Sequence, residues 1–206
     1  MDDIKQLRHE ELLAEYNSLR TEIMQKIELR NTLLICVYTA SAAFLGFALA
    51  NDRQPGQAFL ALLPILVVIP VSMRVGYYRD AIAKLSAYQM VFLEPELNGI
   101  GWESRNDRAL KKVESGEFGG KLVARSRDWL NGARYIDFPV ICLICILVFV
   151  YRGGLDELFG WVFAIAAGVA AAFELAYIFR INRINDQKDT WYGRWEKVRE
   201  EERHHS

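Results

Sequence analysis

Glu174 is the side chain with the most chemistry to offer in this sequence. It stands in a run of 22 residues, 158–179, that carries no other charge. A carboxylate in such a run costs several kcal/mol near the middle of a bilayer, and where one is kept it commonly marks a path for ions or protons. Helical spacing puts it on one face with Ala167, Ala170 and Ala171, so it points at a packed interface or at water. Two readings follow. Glu174 lines or gates a pore, or it is a structural charge that reaches the headgroups or pairs with Arg74 or Arg180. Asp137, close to the start of another apolar run, and Arg74, which closes a third, complete the candidate pore or gate.

A second group mixes aromatic and cationic residues in a charged stretch: Tyr88, Trp102, Arg105, Arg108, Lys111 and Lys112. Aromatic faces can stack a base and cations can pair a phosphate, so these residues form a candidate cytoplasmic face for a nucleotide signal or a partner protein. They equally suit an ordinary membrane-proximal charged surface. No glycine-rich phosphate loop accompanies them. The three histidines, His9, His204 and His205, lie at the chain ends without metal-ligand or triad spacing. Cys36, Cys142 and Cys145 all sit in apolar runs, where free cysteine packs as a small hydrophobe. These patterns predict no enzyme, no metal and no cofactor. A net charge of −1 also argues against direct binding of nucleic acid.

The elements that position these residues follow from hydropathy. Apolar residues make up 52% of the chain and are gathered into four blocks, where a water-soluble fold would spread them at helical or strand period. The blocks are residues 31–50, 55–73, 135–151 and 158–179, and a hydrocarbon core about 30 Å thick takes roughly 20 helical residues. Of the 25 Lys and Arg, all but Arg53 and Arg152 fall outside the two short loops at 51–54 and 152–157. The positive-inside rule then places both termini and the long middle connection in the cytoplasm. The expected fold is an all-α, four-span integral membrane bundle, N-in and C-in, with a cytoplasmic helical layer. Its parts are a cytoplasmic amphipathic helix at 1–30, a transmembrane hairpin at 31–78, a cytoplasmic helical connection at 79–133, a second hairpin at 134–180 and a tail at 181–206.

Inside these parts, helix is expected unbroken from about residue 3 to 50, because neither Gly nor Pro interrupts residues 2–30. A further helix is expected at 79–92, a turn-rich loop at 97–102, a short charged helix at 107–114, a break at 114–120 and a return to the membrane over 121–130. Pro64 and Pro70 should kink the second span. Small residues recur at steps of four: Ala42 and Gly46 in the first span, and Gly160, Ala164 and Gly168 in the fourth. Such spacing lets membrane helices approach closely, within one chain or between copies, and together with the amphipathic N-terminal helix it predicts a homo-oligomer.

The helix ending LRTEIMQKIELR runs into a span, a short outer loop and a second span, and then a helix KLSAYQMVFLEPELNGIGWESR. This layout, covering about half the chain, resembles the SLATT-type and related small multi-spanning effectors of bacterial antiphage defence. The resemblance implies a membrane protein that a cytoplasmic sensor triggers to oligomerise and breach the bilayer, in its sharpest form as a channel; it carries no site residue with it. The alternatives are a membrane-anchored scaffold or sensor that recruits a cytoplasmic partner, and a small transporter. The last is disfavoured because no pair of broken helices marks a midplane site.

The topology is open to a direct check. A reporter active only in the cytoplasm should give signal after Ser206 or at Gly116 and none at Gln54 or Gly154; signal at Gly154 without signal at Ser206 would refute the four-span arrangement.

Overall fold

The computed structural model describes residues 2–50, 56–97, 100–114, 136–181 and 184–205. Every element among them is helical. Helix α1 (Asp2–Ala50) is continuous, having no proline and no glycine before Gly46. A 3-10 turn (Gln57–Leu62) leads into α2 (Leu63–Tyr88), and a π-helical turn (Gln89–Leu93) extends it. Then come α3 (Trp102–Glu114), α4 (Asp137–Tyr151), a second 3-10 turn (Gly154–Asp156), α5 (Gly160–Ile181) and α6 (Ile184–His205).

Three stretches are helical, long and apolar enough to cross a membrane: Ile4–Ala50, Gln57–Leu93 and Gly160–Ile178. The block expected as the third span is the shorter α4. Its 15 residues rise about 22 Å, against a hydrocarbon core of about 30 Å. The helix expected at 79–92 is no separate element but the second half of α2 and its π turn. Pro64 sits in the first turn of α2, where a missing N–H costs nothing, so Pro70 is the proline inside that helix. Of the expected break at 114–120, Glu114 is the last residue of α3, and the rest lies, with the return to the membrane over 121–130, outside the described residues.

The chain divides into two compact units. The apolar unit takes Arg30–Gly76 and Asn131–Asn182. Its buried positions fall at steps of three, four and seven: Val37, Ser41 and Ala48 on α1; Ile65, Val68, Ser72 and Val75 on α2; Phe138, Cys142, Cys145 and Phe149 on α4; Ala167, Glu174 and Ile178 on α5. That is the period at which packed helices keep one seam turned inward. Apart from Phe138 and Phe149 of α4, the seams hold small, polar and β-branched side chains, while many bulky apolar ones face out. Along one line of α5, Trp161, Ile165 and Val169 are each 65% exposed. Water would penalise such a surface by roughly 25 cal/mol per Å². Hydrocarbon does not. The exterior therefore has the composition of a membrane-embedded protein.

At one end of this unit the backbone closes on itself. A Cβ at Gly160 would stand 1.9 Å from the Gly154 carbonyl oxygen, and one at Gly154 would strike the Phe149 ring. Only glycine lets the 152–159 loop fold down on the start of α5.

The second unit comprises Met1–Leu29, Tyr77–Leu130 and Arg183–Ser206. Its core joins Tyr16, Leu93 and Leu97, with Leu12, Leu13, Leu19, Tyr88 and Ile100 packed around them. Buried Gln89 donates from Nε2 to the Tyr16 carbonyl at 3.3 Å and thereby ties the π turn to α1. Helix α3 begins at Trp102, five residues before the expected start. The cause is Glu94: its Oε1 accepts from the Glu103 N–H at 2.7 Å, and its Oε2 accepts from the Ser104 N–H at 3.0 Å and from the Ser104 hydroxyl. A carboxylate satisfying the free amides of a helix N-terminus also complements the helix dipole. Helix α6 lies along α2: Trp191 Nε1 donates to Asp80 at 2.9 Å and Trp195 Nε1 to the Lys84 carbonyl at 3.2 Å.

Because Glu94 caps α3 from outside the helix, Glu94→Ala should unravel its first turn, at a cost of about 3 kcal/mol for charge-assisted bonds to two amides. Hydrogen–deuterium exchange over Trp102–Glu114 should accelerate, with Glu94→Gln intermediate; unchanged protection would show that the cap contributes nothing.

Candidate functional site

Glu174 is fully buried in the apolar unit. Helix α5 carries it on the seam with Ala167 and Ile178, three and four residues being the steps that return to one face. Its Oε1 accepts a hydrogen bond from the Ser72 hydroxyl of α2 at 2.8 Å. The same Ser72 hydroxyl lies 2.8 Å from the Ile69 carbonyl, one turn back on its own helix. Among the described residues Glu174 Oε2 has no hydrogen-bond partner; the Arg180 side chain lies outside them. Tyr177, one turn further along α5, donates to the Met73 carbonyl at 3.4 Å and holds the two helices together beside the carboxylate. Arg74, offered by the sequence as a partner, is exposed, and no hydrogen bond or ion pair joins it to Glu174 among the described residues.

Further polar atoms are buried in this unit, those of Ser41 and Asp137 and also Gln57 Oε1 and Arg152 Nε. Ser41 of α1 is 4% exposed and its hydroxyl has no partner. Asp137, in the first turn of α4, accepts from the Tyr38 hydroxyl through Oδ2, while its Oδ1 is buried without a partner. Cys142 of α4 is buried within electrostatic range of Glu174. Toward the other end the core has an apolar cluster of Ala48, Ala58, Ala61 and Phe149, and a cavity of about 420 Å³ opens there between Phe59, Leu158 and Phe163 and reaches Ile69 and Ala170.

Hydropathy alone missed Ser72 and Ser41. Neutral serines barely disturb an apolar run, and the only signal in the sequence is that each shares a helical seam with buried valines. Of the proposed packing residues, Gly160 is buried, but against the backbone of its own preceding loop. Ala164 packs at the edge of that apolar cluster. Ala42, Gly46 and Gly168 are exposed, and a Cβ added at Gly46 or Gly168 would meet nothing within 4 Å.

The residues of the candidate cytoplasmic face have separate partners. Tyr88 donates to Glu15 at 2.8 Å and stacks on Phe92 with ring centroids 5.0 Å apart, while Trp195 meets it edge-on. Burial first, and then the Glu15 bond, push its phenol up to about 12. Lys111 bridges Asp107 at 2.9 Å and Asp189 at 2.8 Å, and those bonds hold its ammonium well above its ordinary range. Arg108 donates to the Ser104 carbonyl at 3.2 Å. Arg105 is exposed near Gly101, Trp102 is exposed, and Lys112 is exposed with other contacts of its own. Lys111 and Arg108 are thus engaged within the unit. Sequence also gave no sign of a groove of about 420 Å³ that Tyr88 lines with Phe92, Leu12, Arg8, Arg199 and Glu202. Cations and carboxylates alternate along it.

No family model, curated protein or solved structure matches the chain. Among the described residues no group of His, Cys, Asp and Glu is arranged to hold a metal ion. What the geometry offers chemically is one uncompensated carboxylate, with a serine partner, inside an apolar bundle.

Proposed function

We propose that this chain is an oligomeric membrane protein that lets ions or protons breach the bilayer when a cytoplasmic signal or partner triggers it, and that it is not an enzyme. The observation that carries this reading is Glu174, a carboxylate buried in the apolar unit with a single serine partner. A group so costly to bury, left half unsatisfied, is better suited to a transported charge than to holding helices together. Four crossings, with α4 as the shortest and both termini in the cytoplasm of a bacterial inner membrane, fit the distribution of Lys and Arg. The setting proposed is antiphage defence, on the layout of the first hundred residues.

Self-association is part of the proposal. Ala42, Gly46 and Gly168 are exposed small residues, nothing among the described residues lies within 4 Å of a Cβ at either glycine, and small faces are how membrane helices meet. A second reading, a membrane-anchored scaffold that recruits a protein, draws on the mixed-charge groove beside Tyr88.

Reconstituted wild-type protein should conduct across a planar bilayer in the presence of its trigger, and Glu174→Gln should change that conductance at least tenfold, with oligomer size unchanged. Absence of conductance under every condition, trigger included, would leave the scaffold reading ahead. Separately, Gly46→Leu or Gly168→Leu should keep the helical signal and expression of the wild type while reducing cross-linked oligomer in mild detergent and nanodiscs. A wild type that is monomeric throughout would remove the oligomer.

A further inference from the structure

We propose that Glu174, with Ser72, is a binding site for one exchangeable proton, reached from the Asp137 end of the apolar unit. This names the ion for the reading above and rests on it, although the site can be tested without any flux.

Hydrogen-bond bookkeeping at Ser72 is the first ground. Its hydroxyl has one proton and lies 2.8 Å from two acceptors, the Ile69 carbonyl and Glu174 Oε1. One proton cannot serve both. With Glu174 ionised, Ser72 must choose, leaving either the carbonyl without that bond or the carboxylate with no donor. With a proton on Glu174 the set closes: the carboxyl O–H donates to Ser72 Oγ, and Ser72 donates to the Ile69 carbonyl, the back-bond that serine commonly makes in a helix. Oε2, buried and unpartnered, is then a neutral carbonyl oxygen and not half of an anion. An unpartnered neutral acceptor is far cheaper to bury than an unpartnered charge. Release of the proton lets the Ser72 hydroxyl turn from Ile69 to the carboxylate, so the same two residues hold both states.

The surroundings are the second ground. Among the described residues, the seams facing Glu174 present no cation. Helix α1 gives Val37 and Ser41, α2 gives Val68, Ser72 and Val75, and α4 gives Phe138, Cys142 and Cys145. Within the apolar unit, the other ionisable groups described on these helices and α5 are the two cysteines, Asp137 with its donor Tyr38, Tyr151, Tyr177, exposed Arg74 and Cys36, and Arg30 at the start of the unit; Arg79 follows Ser72 and Val75 on the same face of α2, in the charged unit. Hard metal cations call for six or more oxygens. Here the carboxylate, the Ser72 hydroxyl and one carbonyl already engaged in the helix are on offer, too few for a cation and enough for a proton.

The third ground is the direction of access. Asp137 starts α4, five residues or about 7.5 Å of helical rise before Cys142, and its Oδ1 is also unpartnered. On the other side the core is apolar through to Ala48, Ala58, Ala61 and Phe149. Protons exchange with Glu174 by way of Asp137 and Tyr38.

Dicyclohexylcarbodiimide tests this on the full chain in liposomes. The apolar reagent reacts with a protonated carboxyl: the acid adds across a C=N bond, its proton passing to nitrogen, and the adduct rearranges to a stable acylurea with no leaving group. Mass spectrometry should place the adduct on Glu174, with labelling that falls as pH is raised, that is insensitive to Na⁺ or K⁺ at constant ionic strength, and that is lost in Glu174→Gln. Infrared difference spectra between wild type and Glu174→Gln supply the second readout, a carbonyl stretch of a protonated carboxylic acid. That band without labelling still supports the site and marks it as closed to the reagent. Neither band nor labelling at any pH overturns the proposal, and so does labelling that Na⁺ or K⁺ suppresses, because the ligand is then a metal cation. A titrating Glu174 in a protein that passes no current keeps this site and removes the channel.

Discussion

Hydrocarbon offers no hydrogen bonds, and that constraint shapes the apolar unit. Backbone amides and carbonyls must be satisfied within each segment, which only helices achieve when they stand singly among lipids. The same solvent removes any reward for burying leucine. Bulky side chains such as Trp161, Ile165 and Leu66 can therefore face outward, and much of the seams goes to alanine, serine, valine and cysteine, with Phe138 and Phe149 on α4. Against such a background a buried carboxylate is the exception that must be explained, because nothing in the solvent compensates for it.

The charged unit obeys the opposite rule. Its core is small, and polar contacts of defined geometry do much of the positioning. Glu94 starts α3, Gln89 ties the π turn to α1, and paired indoles hold α6 on α2 with Lys84 lying 5.3 and 5.8 Å from the centres of the two rings. A cation over an aromatic face is worth roughly 0.5–1 kcal/mol at an exposed site. Lys188 adds an ion pair to Glu103 at 3.2 Å with both side chains largely covered.

Much of the helical layout was legible because its cause is local. Absence of helix breakers foretold continuous α1, and unbroken hydropathy foretold the three long apolar helices. What escaped sequence reasoning depends on contacts between distant residues. Helix α3 begins at Trp102 because Glu94 reaches over from another turn of chain, and no local pattern around Trp102 records that. Pro64 was expected to kink a span because hydropathy cannot tell that the helix starts only one residue earlier. The serines that complete the Glu174 site left almost no trace, since a hydroxyl inside a helix can return its proton to the preceding turn. Periodicity likewise grouped Ala42, Gly46 and Gly168 as small faces without saying what those faces meet. Glu174 itself was conspicuous from the start, because one charge among 22 residues needs no structure to be noticed.

Helix α6 has a mechanical consequence. Lys188, Trp191 and Trp195 occupy one face of it, and they fasten to α3, to Asp80 and to the Lys84 carbonyl. A helix is stiff over two turns, so lifting α6 away as a body strains all three fastenings at once, and their contributions then add.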